Sequence, residues 1–453
     1  MILYFKKSKM KLAVLVIAGE TVISQLIRLG SNLVLTRILA PEMFGVMVIA
    51  MVLIIGINMV SDLGVREKYI QSDRSSDQCF IDTCWAIQII RGFVIAFLVF
   101  VLGVILMLLQ KKGYVIGSNT YSNKDLPIII MILSVTAFIQ GFNSIREYEF
   151  YKRIMVYEIA VIHIVSQLVG TLIMIVLALK YPVIWVLLVA PILSSLIKLP
   201  LTYRVGNIEM KNRFKIDMLS LKEIYKFGRW VFWGTLLSYA LMNSDRIILG
   251  GLLTPEDMGV YSIALLFSMA AFELLSKVIS KIIYPKLSDL VRDGSQIVKS
   301  MYSYKLKVDF VSYSLAGILL TCGSIIIEIL YDERYYNAGW MFQILSLSLI
   351  FLSLNVTHYT LMALGKSYSH AVVNLISVVI VVIFMPIIYQ KYGIELTIFF
   401  IALRKVFTMP LLLYIQKING LFNFWYEFRA VPVFLISCMF GLALKSIFYS
   451  IYG

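Results

Sequence analysis

The sequence predicts an all-α membrane protein that crosses the bilayer 12 to 14 times. Hydrophobic residues make up 60% of the chain and charged residues only 15%, which excludes an ordinary soluble globular composition. Apolar runs of about 20 residues recur along the whole length, and each can cross the ~30 Å hydrocarbon layer as a helix. A motif near residue 40 returns near residue 255, which indicates two related halves.

Hydropathy predicts six spans in each half and one more at the C-terminal end. The predicted spans are residues 12–35, 43–61, 83–109, 126–143, 155–179, 182–203, 230–251, 258–280, 308–331, 340–363, 369–389, 394–415 and 430–451. We therefore expect an N-terminal six-helix lobe over residues 1–215, a C-terminal six-helix lobe over 216–425, and an additional transmembrane helix within 426–453. The first run is too long for a signal peptide and lacks a small-residue cleavage site, so we expect it to be retained.

The distribution of Lys and Arg predicts a cytoplasmic N-terminus. With that end inside, 26 of the 41 Lys and Arg residues fall in inside segments and seven in outside loops, as the positive-inside rule requires. The net charge of +15 is thus a topology signal, and we expect no nucleic-acid partner. The two longest inside loops, 204–229 and 281–307, are basic; topology alone accounts for them, and contact with an anionic inner leaflet is the alternative.

The internal repeat aligns Leu35–Ala50 with Leu249–Ala264 without gaps, and eight of the sixteen positions are identical. Pro suits the first position of a helix, Glu favours the positive end of the helix dipole, and Gly lets helices approach closely. The motif residues are Arg37, Pro41, Glu42 and Gly45 in the first copy and Pro255, Glu256 and Gly259 in the second. The offset of 214 residues predicts parallel repeats, although a generic helical hairpin used twice is the alternative.

Charged and polar residues inside predicted spans are candidates for a translocation path, because they are costly in lipid unless they face a partner or a cavity. The cationic candidates are Arg28, Arg91, Arg246, Lys277 and Arg404. The polar cavity or gating candidates are Glu20, Gln25, Asn32, Asn243 and Asp245. Gln25, Arg28 and Asn32 have the spacing of one helical face. For Arg28, Arg91 and Arg246, cavity lining and structural pairing are equal alternatives. Lys277 most simply pairs with Glu273 one turn earlier.

Several cations around one lumen would imply an anionic cargo, since guanidinium groups bind phosphate in a bidentate manner. The sequence contains no Gly-rich nucleotide-binding loop, no cysteine spacing typical of a metal site, and no outside loop with clustered acids. We therefore expect no catalytic residue, cofactor or metal, and a transporter rather than an enzyme. Transport would be driven by a gradient or by downstream consumption.

The motifs resemble those of the polysaccharide flippases. Residues 37–45 are similar to the family's R-x-L-x-P-E-x-F/Y-G turn, and Asp62-Leu-Gly64 and Gln71 follow it as in the family. The second half resembles the pattern G…N-x-D…G-x-x-L…G-x-Y-x-x-A through Gly228, Asn243, Asp245, Gly250, Leu253, Gly259, Tyr261 and Ala264, with Pro285 after the eighth span. This Wzx-type branch belongs to the superfamily of multidrug, oligosaccharidyl-lipid and polysaccharide exporters.

The resemblance implies two pseudo-symmetric six-helix bundles around a central cationic cavity. It implies flipping of undecaprenyl-diphosphate-linked oligosaccharide units across the bacterial cytoplasmic membrane, for O-antigen, capsule or exopolysaccharide, together with a polysaccharide polymerase or chain-length partner. The family motifs map turns and packing, so a substrate role for the arginines rests on cavity reasoning alone. Two alternatives are a multidrug or ion antiporter of the same superfamily and a membrane enzyme of lipid-linked glycan metabolism.

Overall fold

The computed structural model describes residues 2–61, 63–115, 117–292, 296–366 and 368–452, and these residues form helices and loops without a β-strand. Asp62, part of the family resemblance, lies outside this set. The α-helices are α1 (Ile2–Ile38), α2 (Pro41–Val60), α3 (Val65–Gln71), α4 (Gln78–Lys111), α5 (Leu126–Gly141), α6 (Arg146–Arg153), α7 (Val156–Lys180), α8 (Val189–Arg204), α9 (Met218–Gly250), α10 (Pro255–Val278), α11 (Tyr284–Arg292), α12 (Ile297–Leu330), α13 (Tyr336–Ser346), α14 (Leu354–Ala363), α15 (Tyr368–Ile418), α16 (Phe424–Phe428) and α17 (Val431–Tyr452).

Every predicted span falls on helical structure, and the prediction of an all-α, multi-span protein is confirmed. By length and hydropathy alone, nine helices among the described residues can cross a membrane, or ten if the bent pair α5 and α6 is one span. That count includes α15 as one helix. Gly393, with a φ of 77°, divides α15 into two parts that correspond to the predicted spans 369–389 and 394–415. The count also leaves out α1 and α9, which contain most of the predicted polar residues.

Several helices extend well beyond their predicted spans. Helix α9 begins at Met218, twelve residues before the predicted start at 230, and α12 begins at Ile297 instead of 308. Hydropathy detects only the part of a helix that contacts hydrocarbon, so the polar turns outside it were predicted as loop. Basic residues assigned to the loop 281–307 therefore lie partly on α12.

The helices form two compact units. Unit 1 contains residues 1–239 and 253–256, and unit 2 contains residues 240–252 and 257–453. Helix α9 thus contributes its first 22 residues to unit 1 and the rest to unit 2. The lobe boundaries at residues 215 and 425 stay predictions.

Both copies of the repeated turn have the same local structure. Helices α2 and α10 begin at Pro41 and Pro255, as predicted. The identical apolar positions are buried in both copies: Leu35, Leu39, Val46, Ile49 and Ala50 in the first, and Leu249, Leu253, Val260, Ile263 and Ala264 in the second. Glu42 and Glu256 are exposed, as is Arg37. The repeat therefore preserves a Pro-initiated helical turn together with its buried face.

Glycine allows close helix contacts in unit 1. A methyl group at Gly92 of α4 would lie 2.7 Å from the Gly141 Cα of α5. On α2, Gly56 accommodates the ring of Tyr239, whose hydroxyl donates to the Val52 carbonyl at 2.8 Å. Because lipid supplies no hydrophobic force between helices, such close contacts and hydrogen bonds hold them together.

In unit 2, the C-terminal helix α17 packs along α12. Gly317 of α12 lies against Ser437, Gly441 of α17 lies against Thr321, and the Cys322 thiol donates to the Gly441 carbonyl. The short helix α16 adds an ion pair between Glu427 and Lys305 of α12, in which both side chains are almost completely buried. Tyr302 also donates to Glu427 at 2.9 Å. The thirteenth predicted span is therefore an integral part of unit 2.

We expect Gly92→Ala to destabilise unit 1, because the new methyl group meets main chain that cannot rotate away. Overpacking of this kind costs about 1–3 kcal/mol, so the thermal unfolding midpoint in detergent should fall. Gly234→Ala on α9 is the matched control, since nothing lies within 4 Å of its added methyl group. Equal midpoints for the two variants would contradict the packing argument.

We expect Lys305→Met to cost about 3–5 kcal/mol, because Glu427 is then a buried, uncompensated charge. The double variant Lys305→Met/Glu427→Leu should recover most of that loss, since an apolar pair needs no charge partner. The control is Asp289→Ala, which breaks the exposed pair with Arg292 and should be nearly neutral. Stability is measured as the thermal unfolding midpoint. A double variant that is no more stable than Lys305→Met would show that the charges of Lys305 and Glu427 do not stabilise each other.

Candidate functional site

A cluster of charged side chains lies inside unit 1, at the junction of α1, α6, α7 and α8. His163 Nδ1 lies 2.9 Å from Glu20 Oε1, and His163 Nε2 lies 3.3 Å from Glu147 Oε1. Lys198 Nζ donates to the same Glu147 oxygen at 3.0 Å. Two carboxylates thus face one ammonium and one imidazole, so the cluster has a charge of −1 with neutral histidine and zero with the imidazolium form. One proton, taken up by His163, therefore makes the cluster neutral.

Glu20 is the one member of this cluster that is a candidate from the sequence. His163 and Lys198 lie within the fifth and sixth predicted spans, and Glu147 lies in a predicted loop. The partners are 143 and 35 residues from His163 along the chain, so no local pattern connects them. The available signal was Lys198, a lone cation in an apolar span that needs a partner.

The predicted polar face of α1 is present, but its members have different surroundings. Gln25 is buried at 6% exposure, Asn32 is half-buried, and Arg28 is exposed. Near Gln25, Gln167 of α7 donates to the Ser24 carbonyl at 3.1 Å. Helix α7 therefore covers only part of this face and leaves the Arg28 guanidinium accessible.

Arg91 of α4 is half-buried, and its Nη2 donates to the Asn58 carbonyl near the end of α2 at 2.8 Å. That bond satisfies a main-chain acceptor within an apolar setting, as structural pairing requires. The structural alternative for Arg91 therefore has a direct contact in its favour.

Unit 2 contains a second cluster, where α9 and α10 meet. Asn243 and Asp245 are buried, and the Tyr261 hydroxyl donates to Asp245 Oδ2 at 2.6 Å. Arg246 Nη1 donates to Asn243 Oδ1 at 3.1 Å. Arg246 and Arg404 both lie within electrostatic range of Tyr261. This cluster brings together Arg246 and both polar candidates of α9, with Arg404 of α15 within electrostatic range.

Two polar atoms in this second cluster have unused hydrogen-bonding capacity. Asp245 Oδ1 and Arg246 Nε are buried without a hydrogen-bond partner among the described residues. Buried polar atoms of this kind are expensive unless a water or a ligand satisfies them. The sequence does not predict the bond between Tyr261 and Asp245, and the G-x-Y motif that contains Tyr261 is the signal that points to this residue.

The cation of α10, Lys277, lies away from this cluster. Lys277 is 16 residues beyond Tyr261, or about 24 Å along the helix at 1.5 Å per residue, and is half-buried like Glu273. Next to Arg404, Lys405 places its ammonium 5.2 Å from the centre of the Phe272 ring. Cation–π contact thus accommodates Lys405, while Arg404 lies near Tyr261.

Comparison with known proteins matches residues 34–339 to the family described as polysaccharide biosynthesis protein. The chain is 20% identical to the lipopolysaccharide biosynthesis protein WzxC of Escherichia coli K12, over 69% of this chain and 61% of that protein. It therefore spans about three fifths of WzxC. It is 22% identical to the capsular polysaccharide biosynthesis protein CapF of Staphylococcus aureus, over 82% of this chain and 90% of CapF.

Among solved structures, the fold is similar to the inward closed conformation of the lipid II flippase MurJ. The TM-score is 0.68, at 13% identity, over 95% of this chain and 98% of MurJ. At this identity the likeness concerns the fold alone, and it supports the multi-pass helical architecture. The family match covers more than half of the chain. The chain therefore belongs to the polysaccharide biosynthesis protein family.

Proposed function

We propose that this protein is a flippase that moves undecaprenyl-diphosphate-linked oligosaccharide units from the inner to the outer leaflet of the bacterial cytoplasmic membrane. The match of residues 34–339 to the polysaccharide biosynthesis protein family carries the proposal. The MurJ-like fold and the charged clusters within the helices support it. The protein is proposed to be a transporter and not an enzyme, with a cytoplasmic N-terminus and alternating access as its mechanism.

The diphosphate of the cargo is the group we assign to the cationic side chains. Guanidinium remains charged at any relevant pH and matches phosphate oxygens in a bidentate manner. Arg246 and Arg404 are the first candidates, because they lie near one buried hydroxyl and Arg246 Nε has no partner among the described residues. Arg28 is the candidate in unit 1, since its side chain is exposed on the polar helix α1.

The cluster around His163 is proposed to stabilise α1 against α6, α7 and α8 while the cargo moves. Its four members contact one another within unit 1, and its charge of −1 or zero leaves no excess positive charge to bind a diphosphate. The sequence contains no nucleotide-binding loop of the Walker type. The work of translocation is therefore assigned to a gradient or to removal of product by a polysaccharide polymerase or chain-length partner.

We expect deletion of the gene in its native host to abolish surface polysaccharide and to enlarge the inner-leaflet pool of undecaprenyl-diphosphate-linked units. Both effects are expected because the deleted strain would still make the lipid-linked units on the inner leaflet but could not move them to the outer leaflet. The measurements are surface glycan by gel and radiolabelled lipid-linked intermediates in inverted vesicles. Unchanged surface glycan would exclude this cargo, and lost glycan without an enlarged pool would indicate a biosynthetic enzyme instead.

We expect Arg246→Gln and Arg28→Gln to lower export by about 10- to 100-fold, the effect of losing a charge-assisted hydrogen bond worth about 1.5–3 kcal/mol. Arg246→Lys should retain part of the activity, since it keeps the charge but not the bidentate geometry. Lys391→Gln, which removes an exposed charge from α15, is the control. Normal export by both Gln variants, at normal membrane levels on immunoblots, would contradict the cationic site.

A further inference from the structure

The segment 205–217, between α8 and α9, has a fixed conformation although it is neither helix nor strand. Its main chain is bonded to the first turns of α4: Gln78 donates to the Lys211 carbonyl at 2.8 Å, the Arg213 N–H donates to Asp82 at 3.2 Å, and the Asp217 N–H donates to Thr83 at 2.9 Å. A loop with satisfied main-chain groups presents its outward side chains in a defined pattern.

The start of the segment is also fixed, by groups from the α5–α6 region. The Arg146 guanidinium donates to the carbonyls of Val205 and Gly206 at 3.1 and 2.7 Å. Asn212 donates to the Ser144 hydroxyl at 2.8 Å. These bonds and those from α4 leave the charged ends of Lys211, Arg213 and Lys215 outside the packing, and all three side chains are exposed.

Basic and apolar side chains alternate on the exposed side of this region. Phe214 is 61% exposed, Met218 is 68% exposed and Leu219 is 73% exposed. On the first turns of α9, Met218, Lys222, Tyr225 and Arg229 follow at helical spacing and are all exposed. A surface that combines large apolar side chains with Lys and Arg is typical of contact with the boundary between lipid headgroups and acyl chains.

Two of the three acids of this region, Asp217 and Glu223, are engaged within unit 1, and only Glu209 is exposed on the surface. Residues 204–229 contain seven Lys and Arg and three Asp and Glu. Lys68 pairs with Glu223 at 2.7 Å and holds the pKa of that carboxyl below its usual range. Asp217 accepts two hydrogen bonds from Ser220, which lower the pKa of the Asp217 carboxyl. Both are therefore ionised and satisfied locally, and the outward charge is positive.

We propose that residues 211–229 form a docking surface for anionic phospholipids, in which Phe214, Met218 and Leu219 enter the interface and the surrounding Lys and Arg bind headgroup phosphates. The proposal rests on the proposed orientation, in which this segment faces the cytoplasmic leaflet. Charge complementarity favours a negatively charged leaflet over a protein partner, since each basic residue near such a surface contributes about fivefold in affinity. The fixed loop holds these side chains in place before the lipid binds.

The test uses the purified, delipidated full chain in a neutral detergent, titrated with dioctanoyl phosphatidylglycerol or dioctanoyl phosphatidylcholine. Binding is read from the rise of the thermal unfolding midpoint with lipid concentration. We expect phosphatidylglycerol to bind at least tenfold more tightly than phosphatidylcholine. The variant Lys211→Gln/Arg213→Gln/Lys215→Gln should lose that preference, since three basic residues are removed while the main-chain bonds are kept.

The matched control is Lys111→Gln/Lys112→Gln/Lys124→Gln, which removes three exposed charges from another part of unit 1 and should keep the preference. The proposal is overturned if the first variant binds phosphatidylglycerol like the wild type, or if the control loses as much of the preference for phosphatidylglycerol.

If the first variant does not fold, Phe214→Ser with intact charges is used. It should weaken the binding of both lipids while preserving the preference for phosphatidylglycerol. Displacement of phosphatidylglycerol by equimolar farnesyl diphosphate would instead assign the surface to cargo capture. Because the assay measures no transport, its failure leaves the flippase proposal standing.

Discussion

Lipid offers no hydrogen bonds, so the main chain of the spans must satisfy its own polar groups, and a buried polar side chain is stable mainly where the protein supplies a partner. This constraint accounts for the helical backbone and for the grouping of polar side chains. His163 lies between two carboxylates, Asp245 accepts from Tyr261, and Lys305 pairs with Glu427. Each of these groups connects at least two helices. Contacts between polar residues therefore determine how these apolar helices pack against one another.

The same solvent explains why small residues determine where helices approach. Gly92 meets Gly141, Gly228 meets the main chain of Leu63, and Gly317 meets Ser437. In water, burial of apolar surface would drive these contacts, but lipid tails solvate Leu and Ile as well as a neighbouring helix does. Contact at van der Waals distance and main-chain hydrogen bonding take over that role. Each of the two repeated turns adds a Pro that begins a helix at a defined residue. Helix α2 lies in unit 1, and α10 lies in unit 2 except for its first two residues.

The spans could be predicted because hydropathy directly measures contact with lipid, and the turns could be predicted because Pro and Gly have local conformational effects. The charged cluster of unit 1 could be predicted only in part, since Glu20 and His163 are joined by packing between helices 143 residues apart. Lys305 shows most clearly what could not be predicted. Its neighbours in the sequence are those of a basic loop, yet Glu427 and α16 bury its side chain. Pairing between distant charges follows from tertiary packing, which a single sequence does not record.

The burial of Lys305 has a consequence for biogenesis. Its partner, Glu427, is made 122 residues later, which is about 6 to 24 s of synthesis at 5–20 residues per second. During that interval Lys305 lacks the carboxylate that it pairs with in the finished protein, and the carboxylate within reach on its own helix is that of Asp309, one turn later. The last helices thus complete a membrane domain whose earlier helices have already been inserted. A chain that ends before Glu427 therefore contains Lys305 without the carboxylate and the helix that bury it in the finished protein.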